Sequence, residues 1–180
     1  MKCRHCTANL SDNFIDLGNA PPSNAYLSTK KLNTPEKLFP LKVMVCSNCW
    51  LVQTEDTADS TELFSSDYAY FSSYSSTWLL HAQRYVTEMI SRFALTDKSF
   101  IVEVAANDGY LLQYVQKANI PCLGIEPTQS TALAAKQKGI EIVESFFGIA
   151  LAERLCQEGK RADLTVANNA VSYTHLYANF

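Results

Sequence analysis

Phe100-Ile101-Val102-Glu103-Val104-Ala105-Ala106-Asn107-Asp108-Gly109-Tyr110-Leu111-Leu112 decides the fold. Its first half is a short apolar run rich in β-branched side chains, the pattern of a strand buried on both faces. Asn107-Asp108-Gly109 breaks that run, and residues 110–118 resume with helical spacing. The unit then recurs downstream. Cys122-Leu123-Gly124-Ile125-Glu126 reads as a second strand, followed by a helix over 130–138, a third short strand over 140–143 and a third helix over 149–157. Asp163-Leu164-Thr165-Val166-Ala167 is a fourth strand, ending at Asn168-Asn169. Strand and helix alternating through short connections predict an α/β fold, a Rossmann-like parallel sheet covered by helices on both faces.

Upstream, Trp78, Leu79, Ala82, Tyr85, Val86, Met89, Ile90 and Phe93 follow the spacing of an amphipathic helix, with Thr77 expected as its cap. Residues 57–77 are acidic, then aromatic and serine-rich, a composition that reads as loop. Residues 1–56 are turn-rich and punctuated by Pro21, Pro22, Pro35 and Pro40, with one weak turn near 27–32. Such a segment cannot build much of a core by itself.

The chain has 180 residues, 47% of them hydrophobic, enough for one ordinary domain and a small one. A formal net charge of −3 leaves no basic excess for a large nucleic-acid footprint, so nucleic acid is not an expected partner. No apolar stretch is long enough to cross a bilayer, and Met1-Lys2-Cys3-Arg4-His5-Cys6 is not followed by a signal-type apolar region. The expected location is cytoplasmic, without membrane contact. In that reducing setting paired cysteines are metal ligands more often than disulfides, whereas Cys122 and Cys156 stand alone and read as core residues.

Cys3-x-x-Cys6 and Cys46-x-x-Cys49 are two knuckles separated by a long loop. Four thiolates arranged this way converge at tetrahedral corners about 2.3 Å from a Zn²⁺ ion, leaving no open position for water or substrate. The ion is therefore expected to organise structure. Runs at 14–17 and 41–45 look like the strands that deliver the knuckles, and His5, inside the first, reads as solvated.

Ligands of an open parallel sheet sit beyond the carboxyl ends of its strands. That rule selects Glu103, Ala105, Asn107, Asp108 and Gly109 around the first turn, and Glu126 with the adjoining Pro127 after the second strand. A carboxylate at Glu126 can accept hydrogen bonds from two ribose hydroxyls; a solvated loop acid is the competing reading. Phe146 and Phe147, after the third strand, can flank an adenine or belong to the core, and Asn168 and Asn169 end the fourth.

In order, CRHC, DLGNAPPSNAYL, FPLKVMVCSNCWLVQ, YFSSYSSTWLLHA, VEVAANDGYLL, LGIEPT, FFG and ADLTVANN span residues 3 to 169. This series resembles the zinc-containing sugar C-methyltransferases that act on nucleotide-linked keto-deoxysugars. The resemblance implies a class I methyltransferase sheet, S-adenosylmethionine (SAM) as methyl donor, a tightly held zinc, and methylation at a sugar carbon beside a ketone. That carbon must lose a proton to give an enolate, which requires a base and a partner for the developing oxyanion. Family members present the YFSSYSSTWLLHA segment to the sugar, which singles out Tyr70, Tyr74 and His81 as catalytic candidates; His81 has an exposed helix residue as its alternative.

With the resemblance, the expected domains are a zinc-binding domain at 1–56, an aromatic linker and helix at 57–96, and a partial SAM-binding domain at 97–169. Residues 170–180 depart from the family pattern. Val171-Ser172-Tyr173-Thr174-His175-Leu176 matches what a transposase-type sequencing adapter encodes in one frame, so a non-native tail and a truncated, inactive fragment are expected, and His175 receives no role. A monomer is expected. Two other functions are compatible with the same motifs: a zinc-ribbon methyltransferase of RNA or protein, and a non-catalytic, zinc-dependent interaction domain.

Overall fold

The computed structural model describes residues 1–55, 64 and 69–168, and Asn169 and residues 170–180 lie outside the described residues. The chain divides into two compact units, the first spanning Met1–Ser65 and the second beginning at Ser66.

In the first unit β1 (Asp12–Ala20) pairs with β2 (Phe39–Val45), which pairs with β3 (Val52–Thr54), all antiparallel. These strands cover both runs expected from the sequence, and the weak turn is a single 3₁₀ turn at Thr29–Lys31. The core is very small: Cys3, Leu10, Met44 and Cys46 are buried, with Cys6, Ala8, Cys49 and Leu51 packed against them. Almost every residue of β1 is exposed. Half of the buried set are cysteines, so the cohesion that a larger domain draws from apolar area must come from the sulfurs.

The second unit opens with a 3₁₀ turn at Ser72–Tyr74 and helix α1 (Ser76–Phe93). The cap of α1 is Ser75, not Thr77: its side-chain oxygen accepts the Trp78 amide at 3.2 Å. The 3₁₀ turn delivers the chain to α1 two residues earlier than the apolar pattern marks, so the extended residue that can cap is Ser75. Four parallel strands follow, β4 (Ile101–Val104), β5 (Cys122–Ile125), β6 (Ile142–Val143) and β7 (Leu164–Val166), in spatial order β6-β5-β4-β7. Helices α2 (Leu112–Lys117), α3 (Gln129–Gln137) and α4 (Ile149–Gln157) connect them.

Every residue of β4 is buried, as a strand covered on both faces requires. Ile101 packs with Ala82, Val86, Leu112, Val115 and Ala132, so α1, α2 and α3 cover one face. Val102, Val104, Leu123 and Ile125 pack on the other face against Leu151 and Leu155 of α4. The split follows from right-handed crossovers: β4-α2-β5-α3-β6 steps outward in one direction, and α4 returns to the opposite side of β4. Cys122 is half-buried, and Cys156 is exposed on α4 and not a core residue, because the buried stripe of that helix runs through Leu151 and Leu155 and leaves position 156 outside it.

The turn after β4 is wound tightly, with positive φ at Ala105 (57°), Asn107 (50°) and Gly109 (75°). At Gly109 a Cβ would run into Ile140 Cδ1 and lie 3.3 Å from Ala135 Cβ. Gly109→Ala is therefore predicted to destabilise the second unit by about 2–4 kcal/mol, combining overpacking with left-handed strain, as read by denaturant unfolding. A loss under about 0.5 kcal/mol, the size of an ordinary surface substitution, would contradict this packing.

Candidate metal centre and strand-tip site

Both knuckles of the first unit have the same backbone design. The Thr7 amide donates to the Cys3 carbonyl and the Trp50 amide to the Cys46 carbonyl, while the Cys3 amide donates to Ala8 O and the Cys46 amide to Leu51 O. Thr7 (φ 61°) and Trp50 (φ 64°) both adopt the left-handed conformation that turns the chain around the sulfurs. The result brings Cys3, Cys6, Cys46 and Cys49 together, with their Sγ atoms all within 4.8 Å of one another. Cys3 and Cys49 are 3.6 Å apart and Cys6 and Cys46 3.5 Å. A tetrahedron of sulfurs about 2.3 Å from zinc has edges of roughly 3.8 Å, so the four residues fit that ion.

Electrostatics gives the same answer. Burial works against ionisation of Cys3, but the backbone amides of Cys6 and His5 and the Gln53 side chain outweigh it and bring the thiol down to about 6. At Cys49 the Leu51 amide favours the thiolate, yet burial and the three neighbouring sulfurs prevail and push it up to about 12. Four sulfurs this close cannot all ionise unless a cation shares the site. Gln53 was not evident from the CxxC spacing. It is buried in β3, donates Nε2 to Cys3 Sγ at 3.3 Å and accepts the Arg4 amide on Oε1 at 3.1 Å, which orients a ligand from behind. Its signal was the alternation of that strand, Val52 and Thr54 out and Gln53 in. His5 is exposed and outside the cluster.

In the second unit the order β6-β5-β4-β7 reverses direction at β4, and the carboxyl ends of the strands beside such a reversal are where open α/β sheets bind their ligands. Glu126 lies at the tip of β5, nearly buried. Its Oε2 accepts the Asn107 amide at 2.9 Å and its Oε1 the Thr128 amide at 3.0 Å, so it is not a solvated loop acid. Half-buried Pro127 lies between these contacts. Asn107 and Asp108 turn their side chains towards residues 70–73. Ala105 supplies one of the positive-φ positions, and Asn168 is half-buried at the end of β7. Phe146 and Phe147 are 37% and 42% exposed, outside both apolar clusters of the sheet.

Glu103 is fully buried, and neither carboxylate oxygen has a hydrogen-bond partner among the described residues. Burial, joined by the charges of Glu126 and Asp108, holds its carboxyl well above the usual carboxylate range; the nearby Tyr110 hydroxyl opposes this without closing a bond of good geometry. The Tyr110 hydroxyl, Asp108 Oδ1, Thr128 Oγ1 and Trp78 Nε1 are buried and unpartnered as well. Unsatisfied polar atoms gathered at strand tips are what a polar ligand or ordered water would satisfy. They, and the contracted turn at Ala105-Ala106-Asn107, suit a cofactor with an amino-acid end and a ribose. Trp78 and Tyr110 were missed in the sequence because apolar spacing alone accounts for them, and Thr128 because it stands at the N-cap position of α3, where a threonine is ordinary.

Of the catalytic candidates, Tyr70 is exposed and contributes its carbonyl to Asn107 Nδ2 at 3.0 Å. Tyr74 is 86% exposed, its ring 5.7 Å from Phe71. His81 is exposed and stacks on Trp78 at 5.0 Å, and Trp78 stacks in turn on Tyr110 at 5.8 Å.

Two predictions arise here. Cys46→Ser is expected to abolish stoichiometric zinc and unfold the first unit, because structural zinc supplies on the order of ten kcal/mol to small domains; zinc affinity should also fall as pH drops and protons compete for the sulfurs. Retained zinc and unchanged melting, measured by metal analysis and calorimetry, would contradict the four-sulfur site. Glu103 is protonated more readily folded than unfolded, so its contribution to stability is full below the unfolded carboxyl range and is lost as pH rises through the raised folded value. Glu103→Gln should therefore flatten the pH dependence of unfolding and stabilise the second unit at neutral and higher pH, with parallel curves as the contrary result.

Residues 3–64 match the family described as "Putative zinc binding domain". The chain is 27% identical over 154 residues to "C-methyltransferase NovU" of Streptomyces niveus, a match covering 86% of this chain and 36% of that protein. The chain thus spans about a third of the length of the curated relative it matches. Among solved structures it is similar to the MccD protein at 18% identity and a TM-score of 0.27, covering 48% of this chain and 31% of that one, a likeness too slight to bear on the fold. The zinc-domain match falls on the first unit, and the similarity to a C-methyltransferase extends over most of the chain.

Proposed function

We propose that the protein is a SAM-dependent C-methyltransferase acting on a nucleotide-linked keto-deoxysugar in the cytoplasm, with zinc as a structural ion. The observation that carries this reading is the strand-tip site of the second unit, in a chain similar to a C-methyltransferase: Glu126 at the tip of β5 is bonded to the contracted turn after β4, and the unpartnered Glu103 carboxyl lies on the strand that leads into that turn. When bound, SAM supplies an electrophilic methyl group. The residues of this chain that would hold it are Glu126, toward the ribose, and Glu103, Ala105 and Gly109, toward the amino-acid end. Phe146, Phe147, Pro127 and Asn168 border the same site in this proposal, and Asn169, next in sequence, is proposed with them as a cofactor residue.

Carbon methylation requires removal of the proton beside the ketone and stabilisation of the oxygen charge that results. Tyr70, Tyr74 and His81 are the proposed groups of this chain for proton handling at the sugar. The exposure of Tyr70 and Tyr74 supports this, since a group that meets a second substrate must be reachable. A four-sulfur zinc has no open position for chemistry, so the metal takes no part in the transfer. The acidic chain favours a sugar substrate over RNA.

Calorimetric titration with SAM should give saturable binding. Glu126→Gln should weaken that binding about ten- to a hundredfold, the worth of hydrogen bonds to a charged acceptor. No saturable heat in the wild type would contradict the cofactor. Labelled methyl transfer by the chain extended to the length of its relatives, offered keto-deoxysugar nucleotides or bulk RNA, should mark the sugar, and label in RNA alone would overturn the substrate class.

A further inference from the structure

We infer that Asn107, Asp108 and Lys138 are positioning residues through which cofactor occupancy at Glu126 sets the placement of the aromatic segment at residues 70–74. The inference rests on the methyl-transfer reading above and adds a coupling between its two halves.

The segment has little structure of its own beyond one 3₁₀ turn. Three of its backbone groups are instead held by the side chains of the turn after β4. Asn107 Nδ2 donates to the Tyr70 carbonyl at 3.0 Å, Asn107 Oδ1 accepts the Ser72 amide at 2.9 Å, and Asp108 Oδ2 accepts the Ser73 amide at 3.2 Å. Lys138, which caps the carboxyl end of α3, adds a second tie: its Nζ donates to Ser73 Oγ at 2.8 Å and to the Asp108 carbonyl at 2.7 Å, 3.6 Å from the Asp108 carboxylate. Ser72 is buried and its amide bond to Asn107 is partly shielded from water, while the bonds to the Tyr70 carbonyl and Ser73 Oγ are exposed.

The other end of this clamp is the cofactor site. The Asn107 main chain donates to Glu126 Oε2, so one residue is bonded by its backbone to the proposed ribose acceptor and by its side chain to the segment that bears Tyr70 and Tyr74. Asn107 holds a left-handed conformation, one that costs a non-glycine residue energy and persists only under such ties. A ribose diol reaching Glu126 must share the oxygen that fixes Asn107. Any adjustment there is passed along two short side-chain bonds to residues 70–73. Tyr74 is thereby mounted on the cofactor turn and not on the sheet, and the sugar-facing surface is completed only with the donor in place.

Amide hydrogen exchange tests the coupling. In the wild-type chain, saturating SAM should slow exchange at Ser72 and Ser73 by about tenfold, one hydrogen bond's worth. Lys138→Met should bind SAM with unchanged affinity yet lose the SAM-induced slowing at Ser73, and Lys138→Arg should restore it. Asn107→Gly, which tolerates the left-handed conformation, should lose the slowing at Ser72 when saturated. A merely structural tether would change exchange equally with and without SAM and leave the increment intact, which would overturn the inference. Saturable binding with no change at Ser72 and Ser73 would sink the coupling alone, whereas no binding at all would sink the methyl-transfer reading and the coupling with it.

Discussion

A right-handed crossover can place its helix on only one face of a sheet, and this constraint decides where the second unit can hold a ligand. Because β5 and β6 lie on one side of β4 and β7 on the other, the connections that leave β4 in the two directions part company at its carboxyl end. A crevice there is a consequence of topology before any side chain is chosen. The chain then furnishes it with groups that make sense only at such a place: a buried carboxyl without partners at Glu103 and a turn with left-handed residues at 105, 107 and 109. Glu126 ties that turn to the tip of the neighbouring strand.

The first unit solves a different problem with a different interaction. Its strands are mostly exposed, and its buried set is too small to repay the entropy of ordering some fifty residues. Two knuckles of the same hydrogen-bond design bring four sulfurs to the corners of a zinc-sized tetrahedron, and burial together with the neighbouring sulfurs pushes the Cys49 thiol up. Folding and metal binding are then one event.

Much of this was legible in the sequence because period and spacing encode it. The alternation of apolar strands and helices yields the four parallel strands, and α4 begins and ends where its apolar period does. Two CxxC pairs suffice to locate the four-sulfur cluster. What was not legible depends on contacts distant along the chain. Ser75 and Thr77 are both competent caps, and only the 3₁₀ turn before α1 selects the first. Cys156 differs from buried Leu155 by one step of helical phase. Lys138 looks like an ordinary cation at a helix end, and its partner Ser73 is 65 residues away. Asn107 and Asp108 were legible as turn residues, but a local pattern cannot say that their side chains face a preceding segment.

The central claim is that the tips of β4 and β5 hold a SAM site built on Glu126 and the left-handed turn. Amide chemical-shift mapping during titration with SAM tests it most directly. The account predicts saturable shifts centred on Asn107, Gly109 and Thr128; saturable shifts confined to residues remote from those strand tips, or none at all, would contradict it.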